Sequence, residues 1–184
     1  MAAVAIAILV IWIGFWTFWL AGSAGVKRGH QRWGQFVGFR VAIILMVLLL
    51  LRLKVFKGQN AFAHNPWWLI GIGLAVFLLG LALAVWAKVY LGGNWGYPMA
   101  RKDNPELVTT GPYRKVRHPI YTGIILGMVG TALAVSLYWL IVAAVFGAYF
   151  LYSAVMEERY MSGLFPDAYP PYKHSTKMLV PFVL

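Results

Sequence analysis

Two short polar stretches in an otherwise apolar chain hold the side chains with useful chemistry: Gly111-Pro112-Tyr113-Arg114-Lys115-Val116-Arg117-His118-Pro119-Ile120-Tyr121, and Glu157-Glu158. Pro119 suits the first turn of a helix and biases His118 away from α geometry, which puts the imidazole at a helix N-terminus. Unpaired backbone N–H groups and the positive end of the helix dipole gather there and favour an anionic group. Taken singly, Arg117 and His118 read as interfacial anchors, and Tyr113 and Tyr121 as members of an aromatic belt. Two tyrosines, an arginine and a histidine within nine residues, beside a proline-started helix, point instead to a pocket.

Glu157-Glu158 follows directly on an apolar run, where ionised groups are expensive unless paired or used. If the helix stopped there, both carboxylates would oppose the negative dipole end, so either the helix continues towards Gly163 or a cation or ligand neutralises them. Arg114 and Arg117 are the candidate salt-bridge partners. Consecutive helical residues point about 100° apart, so one carboxylate of the two is expected to face a site. Between the clusters, Gly123, Gly127 and Thr131 repeat at i, i+4 and i+8, with Gly130 and Ala134 on an adjacent face. Tight helix packing is the expected use of this stripe, and a ligand groove the alternative.

These residues need an apolar scaffold. The chain is 61% hydrophobic and 11% charged, and its apolar residues come in runs, which predicts an all-α polytopic integral membrane protein. Five spans are expected, at about Ala2–Gly22, Val37–Leu51, Trp67–Ala87, Pro119–Val135 and Leu137–Met156. Residues 119–156 as one helix would rise roughly 57 Å against a hydrocarbon core of about 30 Å, so a tight helical hairpin near Ser136 is expected. No acid lies in the first 102 residues. Residues 1–184 therefore read as a single membrane domain, with 1–87 as scaffold and 88–184 as the catalytic loop, last two spans and tail. The loop Lys88–Arg117 opens with a turn at Gly92-Gly93, carries Pro98, Pro105 and Pro112, and should fold over the membrane surface.

Net charge is +11, but most cations flank apolar runs, where snorkelling and anionic headgroups explain them and nucleic acid is not needed. Only Arg52, Lys54 and Lys57 follow the second span. Lys27, Arg28, Arg32 and Arg40, the group Lys88, Arg101, Lys102, Arg114, Lys115 and Arg117, and the tail residues Arg159, Lys173 and Lys177 would share the other side. The positive-inside rule then places the N-terminus outside and the C-terminus in the cytoplasm; in a prokaryote the membrane would be the plasma (inner) membrane. The first apolar run has no preceding cation and is long enough to be retained as a span, which disfavours a cleaved signal around Ala21–Ala24. With no cysteine, and with His30, His64, His118 and His174 scattered, no metal site is expected.

At these clusters the sequence resembles the isoprenylcysteine carboxyl methyltransferase family, membrane enzymes that use S-adenosylmethionine and are similar to phospholipid N-methyltransferases. Leu107-Val108-Thr109-Thr110-Gly111-Pro112-Tyr113 with Arg117-His118-Pro119-Ile120-Tyr121 is similar to that family's L-V-x-x-G-x-Y…R-H-P-x-Y pattern. Glu157-Glu158 with Phe165-Pro166-Asp167-Ala168-Tyr169-Pro170-Pro171-Tyr172 resembles its E-E…F-G-x-x-Y-x-x-Y tail. The resemblance covers about residues 86–184. It implies that Leu107, Val108, Tyr113, His118, Pro119, Ile120, Tyr121 and Glu157 surround the cofactor, beneath a lid of loop and tail. Arg117, His118 and Tyr121 would align the reactants, and Ser153 and Glu158 would lie towards the acceptor. The chemistry is compatible: a carboxylate for an ammonium or ribose hydroxyls, a cation or helix start for a carboxylate, and aromatic faces for adenine and sulfonium.

Three positions depart from the pattern. Ser153 stands where the family commonly has an arginine implicated in gripping the acceptor carboxylate, and a serine cannot replace a bidentate guanidinium. Glu106 stands in place of a histidine, and Pro166 in place of a glycine, with Pro170-Pro171 stiffening the tail. The expectation is a membrane methyltransferase acting on a lipophilic or small acceptor from the bilayer. Phospholipid N-methyltransferase-like activity, a sterol-type reductase using a nicotinamide cofactor, and a non-enzymatic membrane subunit are the alternatives. Against transport, no span carries a central acid and no inverted repeat is visible.

Overall fold

The computed structural model describes residues 2–21, 65–94 and 106–180. The expected span Val37–Leu51, the cations from Lys27 to Lys57, Arg101, Lys102, His30 and His64 lie outside the described residues. Five α-helices are described: α1 (Ala2–Ala21), α2 (Trp67–Leu91), α3 (Pro119–Ala134), α4 (Trp139–Leu164) and α5 (Tyr169–Ser175), with 3-10 turns at Gly92–Asn94 and Gly111–Arg114. Among the described residues the only β-type pairing is a single parallel bridge between Val116 and Lys177. α1, α2 and α4 are long and apolar enough to cross a membrane, whereas α3, at 16 residues, rises only about 24 Å.

The closest helix packing among the described residues lies between α2 and α3, and it consumes the small-residue stripe. A Cβ on Gly123 would sit 2.5 Å from the Gly80 carbonyl oxygen and 2.7 Å from the Ala84 nitrogen, and one on Gly73 would sit 2.5 Å from the Ala134 nitrogen. Gly130 is pressed equally hard onto the backbone of Phe77 and Gly73. The two backbones therefore touch in antiparallel register. In lipid no hydrophobic drive holds helices together, and van der Waals contact of this kind does the work. The glycines are thus a helix seam, not a ligand groove, and their counterpart on α2 (Gly73, Gly80, Ala84) completes it.

α1 joins this pair through polar atoms. Trp12 Nε1 donates to Thr131 Oγ1 at 3.0 Å, and that hydroxyl donates to the Gly127 carbonyl at 2.9 Å. At the other end Lys88 Nζ donates to the Trp19 carbonyl at 2.9 Å and lies 4.4 Å from the Trp19 ring, capping the negative end of α1 with a cation from α2. α1 and α2 consequently end at the same side and run parallel.

α3 stops at Ala134 and α4 starts at Trp139, with Trp139 N–H bonded to the Ser136 carbonyl at 3.0 Å. Asn65 Nδ2 donates to the Leu133 carbonyl at 2.7 Å, so the start of α2 and the end of α3 share the face opposite His118. α4 then runs back and continues past Glu157-Glu158 to Leu164, which keeps both carboxylates off its terminal carbonyls.

The seam makes a direct prediction. Gly130→Ala is expected to cost about 1–3 kcal/mol through overpacking and to lower the melting temperature in detergent. Gly147→Ala, where a Cβ meets nothing within 4 Å, should be neutral or stabilising. Equal melting of the two variants would contradict the backbone contact.

Candidate functional site

The site is assembled where α3 begins, α4 nears its end and the C-terminal strap (residues 165–180) folds back. Gly111 starts the approach: its φ is +60°, and a Cβ there would lie 2.6 Å from the Tyr90 ring, so glycine is required for both conformation and space. Tyr90 OH donates to Thr110 Oγ1 at 2.7 Å, and Tyr113 OH donates to the Ala87 carbonyl at 3.3 Å. These bonds fasten the loop to α2 just before the arginine and histidine.

Glu158 is the electrostatic centre. Its side chain is 2% exposed; Arg117 Nε donates to its Oε1 at 2.6 Å, and Lys173 Nζ lies 2.8 Å from its Oε2. His118, at the N-cap of α3, stands between the two carboxylates, with Nδ1 3.5 Å from Glu157 Oε2 and Nε2 3.6 Å from Glu158 Oε1. Both distances are too long for hydrogen bonds, and His118 Nε2 is a buried nitrogen without a hydrogen-bond partner. Tyr121 OH donates to Glu157 Oε1 at 2.5 Å, and its ring stacks on His118 at 5.4 Å and on Phe150 at 4.8 Å. Both members of the glutamate pair thus face His118, where the helical spacing had suggested one.

The strap is sewn onto the same helix start. Arg117 N–H donates to the Lys177 carbonyl at 2.8 Å and His118 N–H to the Met178 carbonyl at 3.1 Å. Thr122 Oγ1 donates to the Leu179 carbonyl at 2.6 Å, and Tyr172 OH to the Tyr113 carbonyl at 2.7 Å. Arg117 Nη1 reaches the Lys173 carbonyl at 3.0 Å and also bonds the Thr176 carbonyl. Two amides beside the helix start, expected to be open to an anion, therefore serve the strap. Pro170 and Pro171 occupy the first turn of α5, where their missing N–H groups cost nothing.

Burial favours the neutral imidazole of His118, but Glu157 and Glu158 outweigh it and raise its affinity for a proton above the ordinary value. Burial raises the Tyr113 phenol well above its usual range, with Tyr172 and Glu157 adding to the effect. Burial likewise carries Tyr172 up to about 12, so it stays a donor at any working pH.

Of the sequence-derived candidates, Arg117, His118, Tyr121, Glu157 and Glu158 meet directly. Pro119 and Ile120 are buried in the first turn of α3, and Val108 packs against the core that contains Tyr113 and Tyr121. Leu107 is half-buried beside it. Ser153 is fully buried, its hydroxyl donated back to the Tyr149 carbonyl at 2.9 Å. Sequence reasoning missed Lys173 as a partner of Glu158, Thr122 as a strap anchor and Phe150 as the stacking platform. Lys173 directly follows the tail tyrosine motif, the one signal that could have drawn attention to it.

Residues 68–168 match the family model for phospholipid methyltransferases, and the chain belongs to that family. It is 30% identical over 121 residues to protein-S-isoprenylcysteine O-methyltransferase B of Arabidopsis thaliana, covering 64% of this chain and 61% of that one. It is 35% identical over 117 residues to the cobalt-zinc-cadmium resistance protein CzcN of Cupriavidus metallidurans, covering 58% of this chain and 50% of that one. The chain thus spans about half to three-fifths of these curated relatives. Among solved structures, a eukaryotic intramembrane Ras methyltransferase, isoprenylcysteine carboxyl methyltransferase, aligns with a TM-score of 0.59 at 22% identity, over 79% of this chain and 53% of that one. The motif resemblance to isoprenylcysteine carboxyl methyltransferases therefore holds at the level of family and of all-helical membrane fold.

The raised proton affinity of His118 sets a pH dependence. The folded state favours the cation, so this stabilisation is complete below the ordinary imidazole value of about 6.5 and is lost as pH rises through the higher folded value. Thermal melting in detergent should fall from pH 6 to pH 9, and His118→Gln should flatten the fall. An unchanged pH slope in the variant would refute the assignment.

Proposed function

We propose that this chain is an integral membrane methyltransferase that uses S-adenosylmethionine to methylate a lipophilic or small acceptor. The observation that carries the reading is the meeting of the His118–Tyr121 helix start with Glu157-Glu158 beneath the strap, in a chain of the phospholipid methyltransferase family. The donor set fits the cofactor. Glu157, a quarter exposed, suits an ammonium or ribose hydroxyls, and the buried unbonded Nε2 of His118 offers polarity that the protein itself leaves unused. Tyr113 and Tyr121 present aromatic faces to adenine or sulfonium, and Leu107, Val108, Pro119 and Ile120 add apolar walls. When bound, the cofactor supplies an electrophilic methyl carbon on a sulfonium.

The protein's part is alignment and exclusion of water, because methyl transfer needs no covalent enzyme intermediate. Arg117 acts through Glu158 and the strap, holding the helix start in place. Ser153, buried and bonded to its own helix, supplies no guanidinium for an acceptor carboxylate, which favours other oxygen, nitrogen or sulfur nucleophiles arriving from the bilayer. Residues 1–87 serve as support and 88–184 carry the chemistry.

Five crossings fit this reading. Parallel α1 and α2 need a return between them, the place of Val37–Leu51, and α3 with α4 completes a hairpin around Ser136. The cation-rich site face is then cytoplasmic, with the N-terminus outside.

Two experiments test these proposals. Calorimetry in detergent should show S-adenosylmethionine binding and no binding of a nicotinamide dinucleotide, with Glu157→Gln and His118→Ala each weakening the former roughly tenfold and Glu158→Gln weakening it less. A folded protein that binds no S-adenosylmethionine would sink the proposal. The cysteine-free chain also permits single-cysteine mapping with an impermeant maleimide: Ala3→Cys and Trp67→Cys should label from outside intact cells, and Lys177→Cys only after permeabilisation. Labelling of all three from one side would overturn the topology.

A further inference from the structure

We propose that Arg114, Lys115, Arg159 and Lys177, with Lys173 beside them, form a headgroup site for an anionic phospholipid, which fastens the C-terminal strap to the bilayer surface. The cations come from three separate chain segments: hydrogen bonds join the loop before α3 to the strap, and the Glu158–Lys173 ion pair joins α4 to the strap. Lys177 N–H donates to the Lys115 carbonyl at 3.3 Å, Arg117 N–H to the Lys177 carbonyl at 2.8 Å, and Arg117 Nη1 to the Lys173 carbonyl at 3.0 Å. Arg159 directly follows Glu158, which holds Lys173 Nζ at 2.8 Å.

All five side chains are exposed. Lys173 is engaged with Glu158, while Arg114, Lys115, Arg159 and Lys177 have no acidic partner among the described residues. The acids that share this end of the molecule are committed or few: Glu157 and Glu158 face His118, Glu106 accepts from Asn94 Nδ2 at 2.9 Å, and Asp167 is exposed in the turn before α5. Like charges gathered on one face repel one another, and an anion bound among them relieves that repulsion.

The collar lies at headgroup depth, because α1 and α2 end on this face and α3 begins there. Apolar side chains flank it: Leu164, at the end of α4, is 39% exposed and Val180, at the end of the strap, is 46% exposed. A rim of exposed aliphatic groups beside unpaired cations matches a phospholipid, with acyl chains against the first and phosphate on the second. A soluble anion would leave the rim unused.

The proposal stands apart from the methyltransferase reading and is tested without turnover. Purified full-length protein in detergent is titrated with phosphatidylglycerol or phosphatidylcholine, and lipid retention is read by native mass spectrometry. Wild type should retain phosphatidylglycerol preferentially, and retention should fall when salt is raised from about 0.05 M to about 0.5 M. Lys115→Gln and Lys177→Gln should each weaken it about fivefold, the double variant more, and Arg114→Gln with Arg159→Gln is a second pair that leaves the strap's own residues intact. Equal retention of the two lipids by wild type, insensitivity to salt, or wild-type retention by both folded double variants would overturn the site.

Discussion

A carboxylate removed from water at the end of an apolar helix costs several kcal/mol unless cations match it closely. Glu158 is such a group, and its requirement organises the second half of the molecule. Arg117 comes from the loop before α3, His118 from the helix N-cap and Lys173 from α5. Satisfying one buried charge therefore draws three segments to a single point. Arg117 then spends its remaining donors on strap carbonyls, so the charge that neutralises Glu158 also closes the chain over the site. Glu157 is bound into the same arrangement through Tyr121 and His118, and its side chain stays a quarter exposed where that of Glu158 is buried.

That cluster would be useless if α3 could slide or tilt. Its position is set by the glycine seam with α2, where the two backbones are in contact and a shift of one helix over the other would drive carbonyls into carbonyls. The seam runs from Gly123, one turn from the histidine, to Ala134 at the far end. Tyr113 and Tyr90 tie the preceding loop to α2 as well. The helix start is thus referenced to α2 on one side and to α4 on the other, and the imidazole inherits its place from both.

Much of this was legible in the residues, and the limits have physical causes. Pro119 after His118 announced a helix start, and the glutamate pair announced a helix that must either continue or be neutralised; both outcomes occur together. The stripe Gly123, Gly127, Thr131, with Gly130 and Ala134 on an adjacent face, was visible, but the partner Gly73, Gly80, Ala84 was not read as a matching surface, because complementarity between two helices is a property of the pair. Lys173 and Thr122 were missed because they act across 15 and 57 residues of chain respectively, and no local pattern marks such a meeting. Expecting one carboxylate in the site followed from the angle of about 100° between consecutive helical residues. A ring lodged between two carboxylates turns one nitrogen towards each, which spacing along α4 alone does not reveal.

The direction of α1 gives the polar cluster its setting. Lys88 caps α1 from the end of α2, so two parallel helices terminate beside the antiparallel start of α3, while Trp67 and Trp68 mark the opposite end of α2 with exposed aromatic rings. Trp86 and Tyr90 are exposed near the other end of α2, beside Lys88, and aromatic rings at both ends of a helix set its depth in a bilayer. Under the proposed function, a soluble cofactor would reach His118 and Glu157 from the charged end, and a lipophilic acceptor along the exposed apolar flanks of α2 and α4. Two substrates of opposite solubility would then meet at the plane where one solvent gives way to the other, beneath the strap.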